Sequence, residues 1–331
     1  MSNARLFSAA VIAALAAVMA QAQDVHVRVS PTSKGTTASR DDFPTIQMAM
    51  DHAPEPGPGG RLYLHIAPGI YPERVFVTQN RPRTTFLGAG ANPEDVVITA
   101  SQNAKSAGGT FFSSTVEVDA SGFEADNVTF ENAAGHTGQG VAITVRSDRS
   151  VFKHCRFLGD QDTLFADFGR QYYVNSYIQG GVDFIFGNAA AVFDDDELHV
   201  IGPGYLTAQS RVSAEQNTGY IFRRARITTT DLGGKSFYLG RPWRPFSRVV
   251  FLSSEMPSSL SPEGWSPWRQ GGSIENAFYA ERGSFGPGAR VASRISGTHQ
   301  LNTAMAAQFT SERFLAGADH WNPIREAAKL P

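Results

Sequence analysis

The feature that most constrains the fold of this chain is an irregular repeat in its middle third. An aromatic or small apolar residue is followed five positions later by a second apolar residue, and the pair recurs as Ala125 with Phe130, Phe152 with Phe157, Tyr173 with Ile178, Phe193 with Leu198, Phe222 with Ile227 and Phe251 with Met256. Successive repeats begin 27, 21, 20, 29 and 29 residues apart. A strand pattern that persists while the intervals vary is typical of a solenoid with loops of different lengths. The sequence therefore predicts an all-β fold, a parallel β-helix.

The flanking segments fit this prediction. Short β-type runs at 62–67, 85–87, 96–99 and 116–118 are bounded by Gly, Pro or Asn. Apolar residues at helical spacing over 43–50, after Asp41 and Asp42 as caps, predict one short N-terminal helix, and the C-terminal tail is expected to be irregular. Leucine-rich repeats are disfavoured because their Leu and Asn framework is missing. A β-sandwich remains an alternative at this point.

The N-terminal segment predicts export. Arg5 precedes an apolar run over residues 6–20, which ends in the small-x-small site Ala20-Gln21-Ala22. We expect a signal peptide over residues 1–22, a single domain over 23–331, and a secreted monomer, extracellular or periplasmic; a buried N-terminal helix is the alternative. No cysteine follows the run, so no lipid anchor is expected, and the single Cys155 allows no internal disulfide.

Charge and motifs exclude several function classes. The net charge of −2 argues against nucleic acid and anionic membranes as partners, since both need a basic face. The chain has no phosphate-cradling glycine loop and no His-Glu-x-x-His motif. The acidic run 194–197 lacks the spacing of a calcium loop, and His136 and His154 form no zinc motif. We therefore expect no cofactor and no metal.

Two acids occupy equivalent positions in the repeat. Asp162 lies ten residues after Phe152, and Asp183 lies ten after Tyr173. Because parallel strands stack about 4.8 Å apart, the two carboxylates are expected to be neighbours on one outer face, with Gln161 beside them.

Two further side chains are expected on the same face. Gln139 lies fourteen residues after Ala125, four positions later than the acids lie in their repeats, and it reaches the same level if the insertion over 133–138 accounts for those four residues. Arg241 comes near position ten of its coil if an insertion over 228–235 is subtracted.

This face suits acyl transfer from an ester. Neighbouring acids raise each other's pKa, and an arginine beside one of them keeps that one ionised while the other stays a proton donor. The arrangement supplies a carboxylate nucleophile and a general acid, and glutamine N–H groups can stabilise an oxyanion. The alternative is an exposed ladder of solvated acids without catalytic function.

Five motifs, in order, resemble those of the pectin methylesterase (pectinesterase) family. They are Gly69-Ile70-Tyr71-Pro72-Glu73, Gln139 with Val141-Ala142-Ile143, Gln161-Asp162-Thr163-Leu164, Asp183-Phe184-Ile185-Phe186-Gly187 and Leu239-Gly240-Arg241-Pro242-Trp243. The resemblance is to the bacterial-type secreted single-domain form and implies a right-handed parallel β-helix acting on methyl-esterified homogalacturonan (pectin).

The resemblance also implies residue roles. Asp183 is expected to be the nucleophile, Asp162 the general acid and base, Gln139 and Gln161 the oxyanion donors, and Arg241 the group that orients Asp183. The expected sugar contacts are three aromatic residues, Trp243, Phe165 and Phe186.

One departure and several alternatives remain. Asp160 places a third acid beside Asp162, where many relatives have an uncharged residue, and is expected to raise the pKa of Asp162 or to repel demethylated pectin. The alternative functions are an esterase or thioesterase of this family with a non-pectic acyl substrate, a polygalacturonase or lyase with a similar fold, and a non-catalytic polysaccharide-binding protein.

Overall fold

The chain folds as a parallel β-helix in a computed structural model that describes residues 23–35, 40–269 and 271–331. Within these residues the strands form three sheets, A, B and C, and every pair of neighbouring strands runs parallel. From Leu62 to Gly240 each coil contributes one strand to each sheet in turn, whereas the strands before and after this stretch belong to sheet A. The predicted signal peptide over 1–22 lies outside the described residues.

Sheet A is the longest of the three and contains twelve strands among the described residues. In spatial order they are Asp42–Phe43, Val25–Val29, Leu62–Ile66, Thr84–Gly88, Glu124–Asp126, Ser150–Lys153, Arg170–Val174, Ala190–Asp194, Gly219–Arg223, Arg248–Leu252, Phe278–Arg282 and His299–Gln300.

Sheets B and C each contain seven strands within the described part of the chain. Sheet B consists of Arg226–Thr229, Glu197–Val200, Tyr177–Gly180, Arg156–Leu158, Thr129–Asn132, Val96–Ala100 and Gly69–Tyr71. Sheet C consists of Tyr238–Gly240, Tyr205–Gln209, Ile185–Gly187, Leu164–Phe168, Ile143–Arg146, Val116–Val118 and Val75–Val77.

The predicted repeat is the register of sheet A. Ala125 pairs with Phe152, Phe152 with Tyr173, and the same register continues through Phe193, Phe222 and Phe251. The rings of the last five residues stack inside the helix with successive centroids 4.5–4.9 Å apart. This aromatic column explains why the pattern persists, because each ring packs on the ring one coil away.

Helices cover only the ends and the loops. The predicted N-terminal helix is present as Ile46–His52, but its cap is Thr45, and Asp42 lies instead in a short strand. The other α-helices are Ala104–Ala107, Thr303–Ala306, Ser311–Leu315 and Pro323–Ala327, and short 3-10 turns occur at Pro93–Asp95, Thr110–Phe112, Val291–Ser293 and Ala307–Phe309. No helix among the described residues is long and apolar enough to cross a bilayer.

The C-terminal tail packs on the outer face of sheet A. Phe314, Leu315 and Trp321 contact the outward-facing residues Tyr172 and Ile221 in one apolar cluster. Sheet A is thus buried on both faces where this tail covers it, and the two acids lie elsewhere, between sheets B and C.

Candidate active site

The two predicted acids lie at equivalent positions of successive coils. Gln161 forms a parallel bridge with Val182, and the next residues, Asp162 and Asp183, follow at the same level. The backbone N–H of Asp162 donates to the carbonyl of Val182 at 3.0 Å, which fixes the register of the two coils. At the spacing of parallel strands, about 4.8 Å, the two acids are neighbours, as the ten-residue count predicted.

Each acid sits at the corner between sheet B and sheet C. Both have left-handed backbone conformations, with φ of 65° at Asp162 and 49° at Asp183. Asp is one of the few residues besides Gly that adopts this conformation readily, because its short side chain bonds locally. The corner places both acids directly before sheet C strands that begin at Leu164 and Ile185.

Arg241 binds Asp183 with both ends of its guanidinium group. Nε donates to Oδ1 at 3.0 Å, and a terminal nitrogen donates to Oδ2 at 2.6 Å. The guanidinium lies between the rings of Tyr205 and Trp268, 4.0 and 4.3 Å from their centroids. This clamp fixes the orientation of the Asp183 carboxylate, because a bidentate pair has one preferred geometry.

The predicted ladder position of Arg241 is wrong by three residues. Gly240 pairs with Thr207, and Thr207 pairs with Ile185, so Arg241 is level with Phe186 and not with Asp183. The assumed insertion over 228–235 overlaps the sheet B strand Arg226–Thr229, so too many residues were subtracted. The long side chain of Arg241 still reaches back to the acid.

The environment separates the two acids in pKa. Burial, and then the charge of Asp183, raise the pKa of Asp162 to about 8, and Arg241 opposes this shift. The pKa of Asp183 is raised as well, by burial, although the hydrogen bonds and the charge of Arg241 oppose this shift. Arg241 hydrogen-bonds Asp183 with two nitrogens and makes no hydrogen bond to Asp162, so it favours the ionised form at Asp183 more strongly than at Asp162. A carboxylate therefore stands beside a carboxylic acid near neutral pH.

The two glutamines border the acids with unused amide groups. Gln139 and Gln161 form a parallel bridge, so Gln139 joins the ladder at the level of Gln161. Within the described residues neither side chain makes a hydrogen bond to the protein. Both amides are therefore free to donate to a bound group.

Asp160 does not act on Asp162 in the expected way. The causes of the Asp162 shift are burial, Asp183 and Arg241, and Asp160 is not among them. The carboxylate of Asp160 accepts instead from His136, with Nδ1 2.6 Å from Oδ2. The third acid is thus bound to a loop residue.

Aromatic side chains form a groove beside the acids. Phe165 and Phe186 stack at 4.5 Å and are only 4% exposed, so they form the floor. Trp243 packs against Phe186 at 6.1 Å, and Phe111 covers Phe165 at 5.0 Å. A cavity of about 460 Å³ is bounded by Phe111, Arg146, Phe165, Trp243 and Arg244.

Sequence reasoning missed two members of this site, Phe111 and Tyr205. Phe111 is 44% exposed and lies in the loop between sheets B and C, outside any repeat position. Tyr205 begins a sheet C strand, and its backbone carbonyl accepts from the N–H of Asp183 at 2.6 Å. Its position one coil beyond Asp183 was the only available signal.

The other candidates have structural roles. Asp194 and Asp195 form ion pairs with Arg223 and Arg224. Among the described residues no group of three or more acidic, His or Cys side chains is arranged to hold a metal. Cys155 is buried, and burial raises the pKa of its thiol far above the usual range. A cavity of about 1000 Å³ lies at another corner, and none of the predicted site residues lines it.

The fold and this site together describe a protein of the parallel β-helix class with two neighbouring buried carboxyl groups. The profile of the Pectinesterase family matches residues 34–318. Pectinesterase 31 of Arabidopsis thaliana is 37% identical, over 92% of this chain and 97% of its own length. The carrot (Daucus carota) pectinesterase is 38% identical, over 83% and 90%. The chain belongs to the pectinesterase family.

Solved structures agree with this assignment. The pectin methylesterase from carrot superposes with a TM-score of 0.84 at 33% identity, covering 95% of this chain and 98% of the other. The Erwinia chrysanthemi pectin methylesterase gives a TM-score of 0.73 at 26% identity, covering 92% and 99%. The curated relatives named above are plant proteins, so the comparisons do not support the bacterial-type expectation.

Proposed function

We propose that this protein removes methyl esters from the C6 carboxyl groups of pectin, with Asp183 as the nucleophile and Asp162 as the general acid and base. Membership of the pectinesterase family supports the activity. One observation supports the assignment of the two roles: Arg241 clamps Asp183, while the neighbouring Asp162 has its pKa raised to about 8.

In the first half-reaction the Asp183 carboxylate attacks the carbonyl carbon of the methyl ester. The carbonyl oxygen becomes an oxyanion, which accepts hydrogen bonds from the side-chain N–H groups of Gln139 and Gln161. The bond to the methoxy oxygen then breaks, and Asp162 donates its proton to that oxygen. Methanol leaves, and the sugar carboxyl group remains joined to Asp183 as an anhydride.

In the second half-reaction Asp162, now ionised, takes a proton from a water molecule. The resulting hydroxide attacks the anhydride carbon, and Asp183 leaves as a carboxylate. The products are a free galacturonate carboxyl group and the starting enzyme. Burial of Asp162 suits both steps, because it holds the proton in one half-reaction and makes the ionised form a stronger base in the other.

The groove beside the acids supports a sugar polymer as the substrate. Phe165 and Phe186 provide an apolar floor, and Trp243 lines the adjacent wall. A related pectin methylesterase structure contains a bound hexasaccharide. We propose that Trp243, Phe165 and Phe186 contact sugar rings on either side of the reacting ester.

Methanol release from highly methylated pectin tests the function. We expect Asp183→Asn and Asp162→Asn each to lower kcat by at least about a hundredfold. Asp195→Asn is the matched control, because Asp195 has the same left-handed backbone but lies at a different corner and pairs with Arg224. Full activity of Asp183→Asn contradicts the assignment of the nucleophile. New reducing ends without methanol indicate glycosidic cleavage instead.

Export and the monomeric state also belong to the proposal. The charged-apolar-small order of residues 1–22 supports a signal peptide. N-terminal sequencing of protein recovered outside the cytoplasm tests cleavage after Ala22, and sedimentation equilibrium tests the monomer. An uncleaved N-terminus contradicts export by a cleaved signal.

A further inference from the structure

The loop over 133–138 leads directly into Gln139 and is weakly packed. It contains Gly135 and Gly138, both with left-handed backbones, φ 61° and 116°. A Cβ atom placed at either glycine would meet no atom within 4 Å. Because glycine backbones are also the least restricted, the path of this loop depends on the few side-chain contacts that it makes.

One of these contacts joins the loop to the coil of the catalytic acids. His136 Nδ1 lies 2.6 Å from Asp160 Oδ2, although the histidine side chain is 94% exposed and the acid only 12%. Asp160 immediately precedes Gln161 and Asp162, and its carbonyl accepts from the N–H of Gly181 at 2.9 Å. The coils of the β-helix therefore fix Asp160, and Asp160 in turn fixes His136.

A second contact joins the loop to the segment that covers the groove. Asn103 Nδ2 donates to Thr137 Oγ1 at 2.9 Å, and Asn103 also caps the helix Ala104–Ala107. The N–H of Ala104 donates to the carbonyl of Gln139 at 2.8 Å. Gln139 thus lies between two anchors, the His136 pair on one side and the Asn103 segment on the other.

We propose that Asp160 and His136 are positioning residues that hold Gln139 in place as an oxyanion donor. The proposal rests on the role assigned to Gln139 above. The side-chain amide of Gln139 has no partner within the described residues, so its direction follows from its backbone, which the loop delivers. A donor that stabilises a transition state must be held within a fraction of an ångström, so a loosened loop lowers the rate without preventing binding.

Other roles for this pair agree less well with the structure. His136 does not act as a catalytic base at the ester, because its Nδ1 is bound to Asp160 and its ring faces solvent. A large contribution to stability is also not expected, since a contact with so exposed a partner adds little to the stability of the fold. The remaining function is orientation of the chain entering Gln139.

Steady-state methanol release separates these possibilities. For His136→Ala we expect kcat to fall about tenfold, KM to change less than about twofold, and the melting temperature to stay nearly constant, because only the transition state uses the donor. His136→Lys, which keeps an N–H donor within reach of the Asp160 carboxylate, is expected to recover most of the lost rate. The control is His154→Asn, since His154 Nδ1 is also close to an aspartate, Asp126, at 3.2 Å but at another corner.

A double-mutant cycle with Gln139→Ala tests the coupling. If His136 acts through Gln139, removing His136 has no further effect once Gln139 is alanine. Fully additive losses in kcat overturn the positioning role, as does a loss that appears only in KM. Full activity of Gln139→Ala alone overturns the oxyanion assignment itself, so the two failures are distinguishable.

Discussion

The raised pKa of Asp162 suits its proposed role in catalysis but makes the folded protein less stable. Burial and the neighbouring Asp183 raise its pKa from 3.8 to about 8. An acid that is protonated in the folded protein but ionised in the unfolded chain lowers the free energy of unfolding as the pH rises between these two pKa values. Asparagine resembles the neutral acid and does not titrate. Asp162→Asn is therefore expected to remove this penalty and to stabilise the protein.

The size of the effect follows from the shift. Each pH unit within the window corresponds to about 1.4 kcal/mol. Between about pH 5 and about pH 7 the stability advantage of Asp162→Asn should therefore grow by about 2–3 kcal/mol. It vanishes below about pH 4 and stops growing above about pH 8. Urea unfolding of both proteins across this range measures the difference in the free energy of unfolding.

The control for this experiment is Asp195→Asn, which loses an ion pair with Arg224 at a 44% exposed side chain. We expect a change of at most about 1 kcal/mol, and a destabilising one. If the difference between Asp162→Asn and wild type is the same at about pH 5 and about pH 7, the fold does not hold Asp162 protonated and the reasoning fails. Wild-type methanol release should also decline above about pH 8, as the general acid loses its proton.

Three further predictions address the clamp, the groove and the core. Arg241→Lys should lower kcat at least about tenfold and move the acidic limb of the pH–rate profile to higher pH, because Arg241 lowers the pKa of Asp183; an unchanged profile contradicts the clamp. Trp243→Ala should raise KM for methylated oligogalacturonides about fivefold or more with a smaller effect on kcat; an unchanged KM removes Trp243 from the substrate site. Phe222→Ala, in the middle of the aromatic column, should lower the free energy of unfolding by about 3–5 kcal/mol in urea, whereas Phe168→Ala, 65% exposed, should change it little.

The central coils were predictable because packing makes them periodic. Each interior ring of the column from Phe152 to Phe251 packs on its neighbour one coil away, so the sequence must repeat an apolar residue at that position. Because the outward-facing residues share this register, the repeat count also predicted that Asp162 is level with Asp183. Five motifs in order added the family, which the comparisons confirmed.

Two of the features that sequence analysis missed are contacts made by loop residues. Phe111 contacts Phe165 from a loop with no repeat position, and His136 contacts Asp160, 24 residues later in the chain, from the loop that contains Gly135 and Gly138. Such contacts leave no periodic signal, since loop length varies from coil to coil. The position of Arg241 was wrong for the same reason, because the boundary between strand and insertion near Thr229 is not marked in the sequence.

The left-handed backbone at Asp162 and Asp183 does not by itself explain why these residues are acids. At the corner between sheets A and B the same left-handed conformation recurs at Asn127, His154, Asn175, Asp195, Arg224 and Ser253. The backbone alone therefore does not demand an acid. Asp162 and Asp183 are acids although burial opposes their charge, which is typical of a functional site. Because asparagine also tolerates this conformation, the Asn variants preserve the corner and test the chemistry, whereas alanine would add backbone strain of about 1–2 kcal/mol.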